Sequence, residues 1–274
     1  MICIDDHSRR FETELYAVCR YSPYGAAILS YYNSYCGGTY AFLDFWIQRD
    51  NGDKAVCAFC RYYSTMIICG ENYEPAETEE FIGIIAPAVI ICEDIFKIPN
   101  DYKKTLGEIM ICKKIAPNCR FLHNLDVVKI ESNMRDLRKV YNLLVLSSGE
   151  KECMPDFESY FLDISQKLRH KNAEVYAVKD SFDNIVSTAS LISITSETVL
   201  IGDTATSTDY RNNGYASTLV RHITQKQLSL GKSVYLYRDK KTAFYGKIGF
   251  ESYGNHSQYR RKSKENKTIE EINY

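Results

Sequence analysis

After Gly202 the chain reads Asp203-Thr204-Ala205-Thr206-Ser207-Thr208-Asp209-Tyr210-Arg211-Asn212-Asn213-Gly214-Tyr215-Ala216-Ser217. A strand ends, a polar turn follows, and an amphipathic helix begins around Gly214. The first N–H groups of a helix have no internal partner and carry the positive end of its dipole, so they bind anions well. Gly214 and Ala216 keep bulk away from those amides, Arg211 adds a fixed positive charge, and Ser217 adds a hydroxyl donor. Residues of these types at this spacing would cradle a pyrophosphate.

Such a cradle needs a sheet to hold the strand before it and a core to hold the helix after it. Glu174 to Lys179 and Ile185 to Ile194 read as strands around Asp183-Asn184, and Val199 to Thr206 reads as a third. The helix from Gly214 to Leu230 is closed by Gly231. Strand Ser233 to Tyr237, a short helix near Thr242 to Lys247 and a last strand from Phe250 follow. Met134, Leu137, Tyr141 and Leu144, then Phe157, Phe161, Ile164 and Leu168, form helical stripes ahead of these strands. The first half repeats the plan. Helical material from Phe11 to Tyr35 restarts at Ser22-Pro23, and strands Ala41 to Gln48 and Lys54 to Tyr62 flank the turn Asp50-Asn51-Gly52-Asp53. Met66 to Cys69, a short helix from Glu74-Pro75 to Ile84, and strands Ala88 to Cys92 and Thr105 to Lys113 complete it. Each meander ends in a glycine, Gly70 or Gly202, so an internal duplication and two unrelated meanders are both open readings. The pattern predicts an α/β (α+β) mixed sheet in two units, 1–120 and 121–274, joined near Pro117-Asn118.

Arg211-Asn212-Asn213-Gly214-Tyr215-Ala216 resembles the acyl-CoA signature R/Q-x-x-G-x-G/A of the GNAT family of N-acetyltransferases. Ala243-Phe244-Tyr245-Gly246-Lys247-Ile248-Gly249-Phe250 is similar to that family's A-x-x-Y-x-x-x-G-F segment, and the two matches with the element order cover Val127 to Tyr259. The resemblance implies an acyl-CoA N-acyltransferase fold and acetyl-CoA as co-substrate. It implies a strand splayed from its neighbour, whose free backbone at Ala205 and Thr206 pairs with pantetheine. The pyrophosphate would rest on amides from Asn212 to Ser217, including Asn213, Tyr215 and Ala216. Tyr245 would be general acid for the leaving thiolate. Arg238 stands near the place where the family often has a CoA-contacting Asn. Thr206 and Thr208 replace the usual Val and Pro, and Ala216 replaces a common Gly. Base candidates by position are Glu197 and Asp203, at the two ends of the splayed strand. The acceptor would be a small-molecule or peptide amine. A longer-acyl or aminoacyl transferase and a non-catalytic acyl-CoA module are the alternatives.

The first half lacks this chemistry. After Gly70 come Glu71, Glu74, Glu77, Glu79 and Glu80, which would repel a pyrophosphate at a helix start. It reads as a degenerate acetyltransferase-like unit whose aromatics, Tyr21, Tyr24, Tyr31, Tyr32, Phe45 and Trp46, form core or wall an acceptor cleft.

Other classes fall away. The chain has 274 residues, 45% hydrophobic and 25% charged, with net charge -1, which suits a globular protein with ample core and gives no general electrostatic reason to bind nucleic acid or anionic membrane. The longest apolar run, Phe81 to Cys92, is broken by Gly83 and Pro87 and falls short of the ~20 residues of a spanning helix. With no apolar leader after Asp5 and Asp6, the expected location is cytoplasmic. Cys57 and Cys60 have CxxC spacing inside a strand, where positions three apart face opposite sides, so they read as buried reduced thiols and no metal is expected. The basic Arg260-Arg261-Lys262-Ser263-Lys264 reads as a solvated strand end, and a homodimer is compatible with the sequence.

Overall fold

The computed structural model describes residues 1–35, 38, 40–117, 121–122, 125–148, 155–238 and 243–262. The readings at Asn118, Thr242, Ser263 and Lys264 lie outside the described residues. The first half runs β1 (Ile2–Ile4), α1 (Arg9–Cys19), α2 (Pro23–Tyr35), β2 (Leu43–Arg49), β3 (Ala55–Tyr62), β4 (Thr65–Gly70), α3 (Pro75–Ile85), β5 (Val89–Cys92) and β6 (Tyr102–Cys112). The second runs β7 (Val128–Ile130), α4 (Met134–Ser148), α5 (Phe157–Arg169), β8 (Glu174–Lys179), β9 (Ile185–Ile194) and β10 (Thr198–Thr206), then α6 (Tyr215–Ser229), β11 (Ser233–Arg238), α7 (Phe244–Ile248) and β12 (Phe250–Arg261). The three-residue strands β1 and β7 are additions to the sequence reading, being too short to show an alternation.

The twelve strands among the described residues join one mixed sheet, in the order β1-β2-β3-β4-β5-β12-β6-β11-β10-β9-β8-β7. The order is nearly palindromic in plan. Each half lays down five strands from its own edge toward the centre, and each half's last strand crosses to the other side. β6 pairs with β11, β12 pairs with β5, and the two exchanged strands pair antiparallel from Phe250↔Cys112 to Arg261↔Tyr102. The two halves are therefore interlocked through backbone hydrogen bonds. Matching element order together with this exchange supports the duplication reading.

Helix α2 locks the halves from the side. Ten of its residues are buried, Pro23 and Tyr35 among them, as a helix with apolar residues all round requires. Its core cluster takes Phe45 and Ile67 from the first half, Leu200 and Tyr235 from the second, and Ile109 and Ile111 from the exchanged β6. Polar bolts accompany the packing. Asn172 Nδ2 donates to Ser34 Oγ at 3.0 Å, Gln166 Nε2 to the Ser34 carbonyl at 2.7 Å, and Thr198 Oγ1 to the Arg20 carbonyl at 3.0 Å. Buried polar groups paired in this way fix one relative placement of α2 and α5.

Tyr24, Tyr32, Phe45 and Trp46 are core residues, whereas Tyr21 is exposed. Cys57 packs with Phe59 and Met66 on one face of the sheet, and Cys60 packs with Ala58 and Tyr35 on the other. These two thiols face opposite sides, and burial pushes both up in pKa. No helix among the described residues is long and apolar enough to cross a membrane.

Candidate functional site

Strands β10 and β11 pair in parallel from Thr198↔Ser233 to Ile201↔Leu236 and no farther, although β10 runs on to Thr206 and β11 to Arg238. A bulge causes the parting. Against β9, the register steps from Gly202↔Ser190 to Ala205↔Thr188, so β10 spends one extra residue there and bends. Asp203 sits in the bulge at φ 49, a left-handed conformation that Asp tolerates better than most residues. Beyond Ile201 the edge of β10 that faces the fork has no strand partner among the described residues.

The chain then turns into α6. Arg211 Nε donates to the Thr206 carbonyl at 3.1 Å, Asn212 lies at φ 63, and Gly214 is the N-cap at φ 87 with no side-chain cap hydrogen bond. The amides of Tyr215, Ala216 and Ser217 therefore precede the first internal bond, Thr218 N to the Gly214 carbonyl at 3.0 Å. Leu219, Val220 and Ile223 bury the inner face of α6, which fixes where those amides point. They open into a cleft of about 1000 Å³ lined by Thr206, Tyr210 to Ser217, Phe121, Leu122, Ala243, Phe244 and Lys247. Its charged lining residues are Arg211 and Lys247, and no carboxylate is among them. An anion with a long apolar tail suits this charge, size and fork.

Tyr245 stands at the fork. Burial raises its phenol, while the neighbouring Thr204 side chain and the Arg238 charge oppose the rise. Phe244 and Phe250 hold the ring at centroid distances of 4.8 Å and 6.0 Å. Gly249 ends α7 at φ 120, and a Cβ there would lie 2.4 Å from the Lys114 carbonyl oxygen. The same crossing is fastened by Ala116 N donating to the Ile248 carbonyl at 2.8 Å. Gly249→Ala is expected to cost about 2–3 kcal/mol through clash and backbone strain, a fall of at least about 4 °C in Tm. An unchanged melting curve would contradict the close approach.

On the other side of the bulge lies a polar cluster. Burial pushes the Asp203 carboxyl up to about 6, with Lys167 drawing it down and Asp163 adding to the rise. Lys167 Nζ lies 3.0 Å from Asp163 Oδ2 and 4.0 Å from the Tyr31 ring centroid. Tyr35 donates to Asp163 Oδ1 at 3.3 Å, so α2 of the first half contributes two tyrosines to this side.

The fold gathers Ala205, Thr206, Arg211, Asn212, Asn213, Gly214, Tyr215, Ala216, Ser217, Asp203 and Tyr245 around one fork. Two expected residues are placed otherwise. Glu197 sits in the β9–β10 turn, bonded to Ser196 Oγ at 2.5 Å, about 20 Å along the strand from Asp203 at 3.2–3.4 Å per residue. Arg238 is at the fork but partly buried, its Nε donating to Glu108 Oε2 at 2.8 Å, so its charge is answered by the exchanged strand β6. Thr204, Lys247, Phe121 and Leu122 join the site without having been read from the sequence. Lys247 lay within the quoted A-F-Y-G-K-I-G-F segment, whereas nothing in the linker marked Phe121 and Leu122.

The first half shows the same plan without the anion site. Its β4–β5 pairing also stops early, at Ile67↔Ile91. There α3 begins with Pro75, which has no N–H, and the Glu74 carboxylate accepts from Ala76 N at 3.4 Å. The cleft at this second parting, about 440 Å³, has Glu71, Glu93 and Lys54 as its charged lining residues. A helix start that lacks one amide and is occupied by its own carboxylate is poorly suited to a phosphate.

Residues 171–252 match the family model of the acetyltransferase (GNAT) domain. Among solved structures, a tandem GNAT protein from the clavulanic acid biosynthesis pathway is similar at TM-score 0.56 and 11% identity, over 94% of this chain and 97% of that one. A GNAT-family acetyltransferase from Colwellia psychrerythraea is similar at TM-score 0.53 and 11% identity, over 96% and 100%. A GCN5-related N-acetyltransferase from Sphaerobacter thermophilus reaches TM-score 0.54 at 13% identity, over 86% and 84%. Among curated proteins, none matches the chain.

Proposed function

From the GNAT domain in its C-terminal half, we propose that this protein is an N-acetyltransferase that moves an acetyl group from acetyl-CoA to a primary amine. The observation that carries the reading is the uncapped start of α6 beside the β10–β11 fork, open to a carboxylate-free cleft of about 1000 Å³. The pyrophosphate rests on the amides of Tyr215 to Ser217 with Arg211 and Lys247 beside it, and the pantetheine runs into the fork along the unpaired edge of β10. The acceptor enters from the side where α2 and α5 bring Tyr31, Tyr35 and Asp163.

The amine nitrogen attacks the thioester carbon, the C–S bond breaks, and backbone N–H groups at the fork receive the developing oxyanion. Asp203 takes the ammonium proton, which a lysine-like amine (pKa ~10.4) needs more than an α-amine (~7.7–8.0). Tyr245 returns a proton to the CoA thiolate. A thiolate of pKa ~8.5 leaves readily, so Tyr245→Phe is expected to lower kcat only about ten-fold and to leave the acetyl-CoA Kd unchanged. Equal turnover by that variant would remove the role. Seven described cysteines are free, six of them buried, which suits a reducing cytoplasm.

Isothermal titration with acetyl-CoA tests the central claim, and failure of the wild-type protein to bind would overturn it. Binding without turnover over a broad amine panel would instead identify a non-catalytic acyl-CoA module.

A further inference from the structure

A second basic cleft adjoins the first across Phe121. It holds about 430 Å³ and is lined by Lys113, Lys114, Arg221 and Gln225 together with apolar residues of the 115–117 segment and the end of α6, again with no carboxylate. Arg221 is its fixed point. The guanidinium carbon lies 3.5 Å from the Phe121 ring centroid, so the ring pins the cation's plane. Its Nη1 is buried and has no hydrogen-bond partner among the described residues, and no ion pair of Arg221 is found there. A partly desolvated charge held in place without an acceptor is costly unless a ligand supplies one. The neighbouring cations are available. Among the described residues Lys113 has only an exposed contact at 3.5 Å with Glu251, and Lys114 lies at the surface.

The position relates this cleft to the donor. Arg221 follows Ser217 by four residues on α6, hence on the same side of the helix and one turn, about 5.4 Å, farther along. Phe121 lines the donor cleft and stacks on Arg221, so one side chain separates the two spaces. Coenzyme A carries two phosphate groupings on one ribose, at the 5′ and the 3′ oxygens, separated by about the same span. With the 5′-pyrophosphate on the amides up to Ser217, a 3′-phosphate one helical turn farther along would meet Arg221. We propose that Arg221, with Lys113 and Lys114, binds the ribose 3′-phosphate of the donor, so that the protein selects free coenzyme A thioesters over donors that lack this group. The proposal rests on the acetyl-CoA reading of the first cleft.

The test is calorimetric titration of the full chain with coenzyme A and with 3′-dephospho-coenzyme A. Wild type is expected to bind coenzyme A at least about ten-fold more tightly, the worth of one or two charge-assisted hydrogen bonds. Arg221→Gln is expected to weaken coenzyme A about ten-fold and leave the dephospho ligand unchanged, closing the gap. Lys113→Gln/Lys114→Gln, two exposed changes that leave the core intact, is expected to close part of it. Equal affinity of wild type for the two ligands, or equal losses for both in the variants, would overturn the subsite alone. No binding of either ligand to wild type would overturn the donor reading with it.

Discussion

Gly214→Val is expected to weaken acetyl-CoA binding at least about 100-fold while the protein stays folded. Gly214 holds φ 87 at the N-cap of α6, where an ordinary L-residue costs about 1–2 kcal/mol and a β-branched one more. A Cβ there would meet nothing closer than Leu122 Cγ at 3.7 Å, so the damage comes from the backbone rather than from a clash. Valine relieves its strain by turning the first helical turn away from the left-handed cap. That rotation moves the Tyr215, Ala216 and Ser217 amides off the phosphate, and each charge-assisted bond lost is worth about 1.5–3 kcal/mol. Two such losses give the factor of 100. Stability should fall only modestly, because Leu219, Val220 and Ile223 keep α6 on the sheet. Gly214→Ala, with less bulk and the same positive φ to satisfy, should fall between. An unchanged Kd in the valine variant would mean the pyrophosphate lies elsewhere.

The cradle around Gly214 was legible because every part of it is local. A strand, a turn rich in polar residues, a glycine and an amphipathic helix follow one another within about thirty residues, and periodicity with turn chemistry is enough to order them. The same holds for the acidic start of α3, where Glu74 and Pro75 announce their own capping. What stayed hidden is non-local. Alternation says which face a strand buries and nothing about its neighbour, so the exchange of β6 and β12 had no signature, and the two-unit division missed a shared sheet. Arg238 read as a coenzyme A contact because Glu108, its partner, lies 130 residues away. Glu197 and Asp203 looked equivalent at the two ends of one strand. Only the end at which the strand parts from β11 separates them, and the bulge that causes the parting depends on a register with β9.

Asp203→Asn should separate activity from stability in opposite directions. In the wild type the rate should rise with pH along a limb near 6, where the Asp203 carboxyl titrates, and flatten above it. The asparagine has no base to offer, so turnover should drop about 100-fold and the limb should vanish. The stability sign follows from the direction of the shift. The folded value lies above the ordinary 3.8, so ionising this group disfavours the native state. That cost is absent below about 3.8, grows from there to about 6, and is complete at higher pH. The asparagine side chain never ionises and escapes it. Part of the residue is open to water, which discounts the penalty to about 1 kcal/mol, or roughly 2–4 °C in Tm. The variant should therefore melt above wild type at pH 8, with the gap closing toward pH 4. A lower Tm for the variant at pH 8 would mean that the ionised carboxylate is held by Lys167 more strongly than burial opposes it. A wild-type rate without a limb near 6 would take the base away from Asp203. Both results together would recast the bulge as a structural device and leave the acceptor amine to arrive already deprotonated.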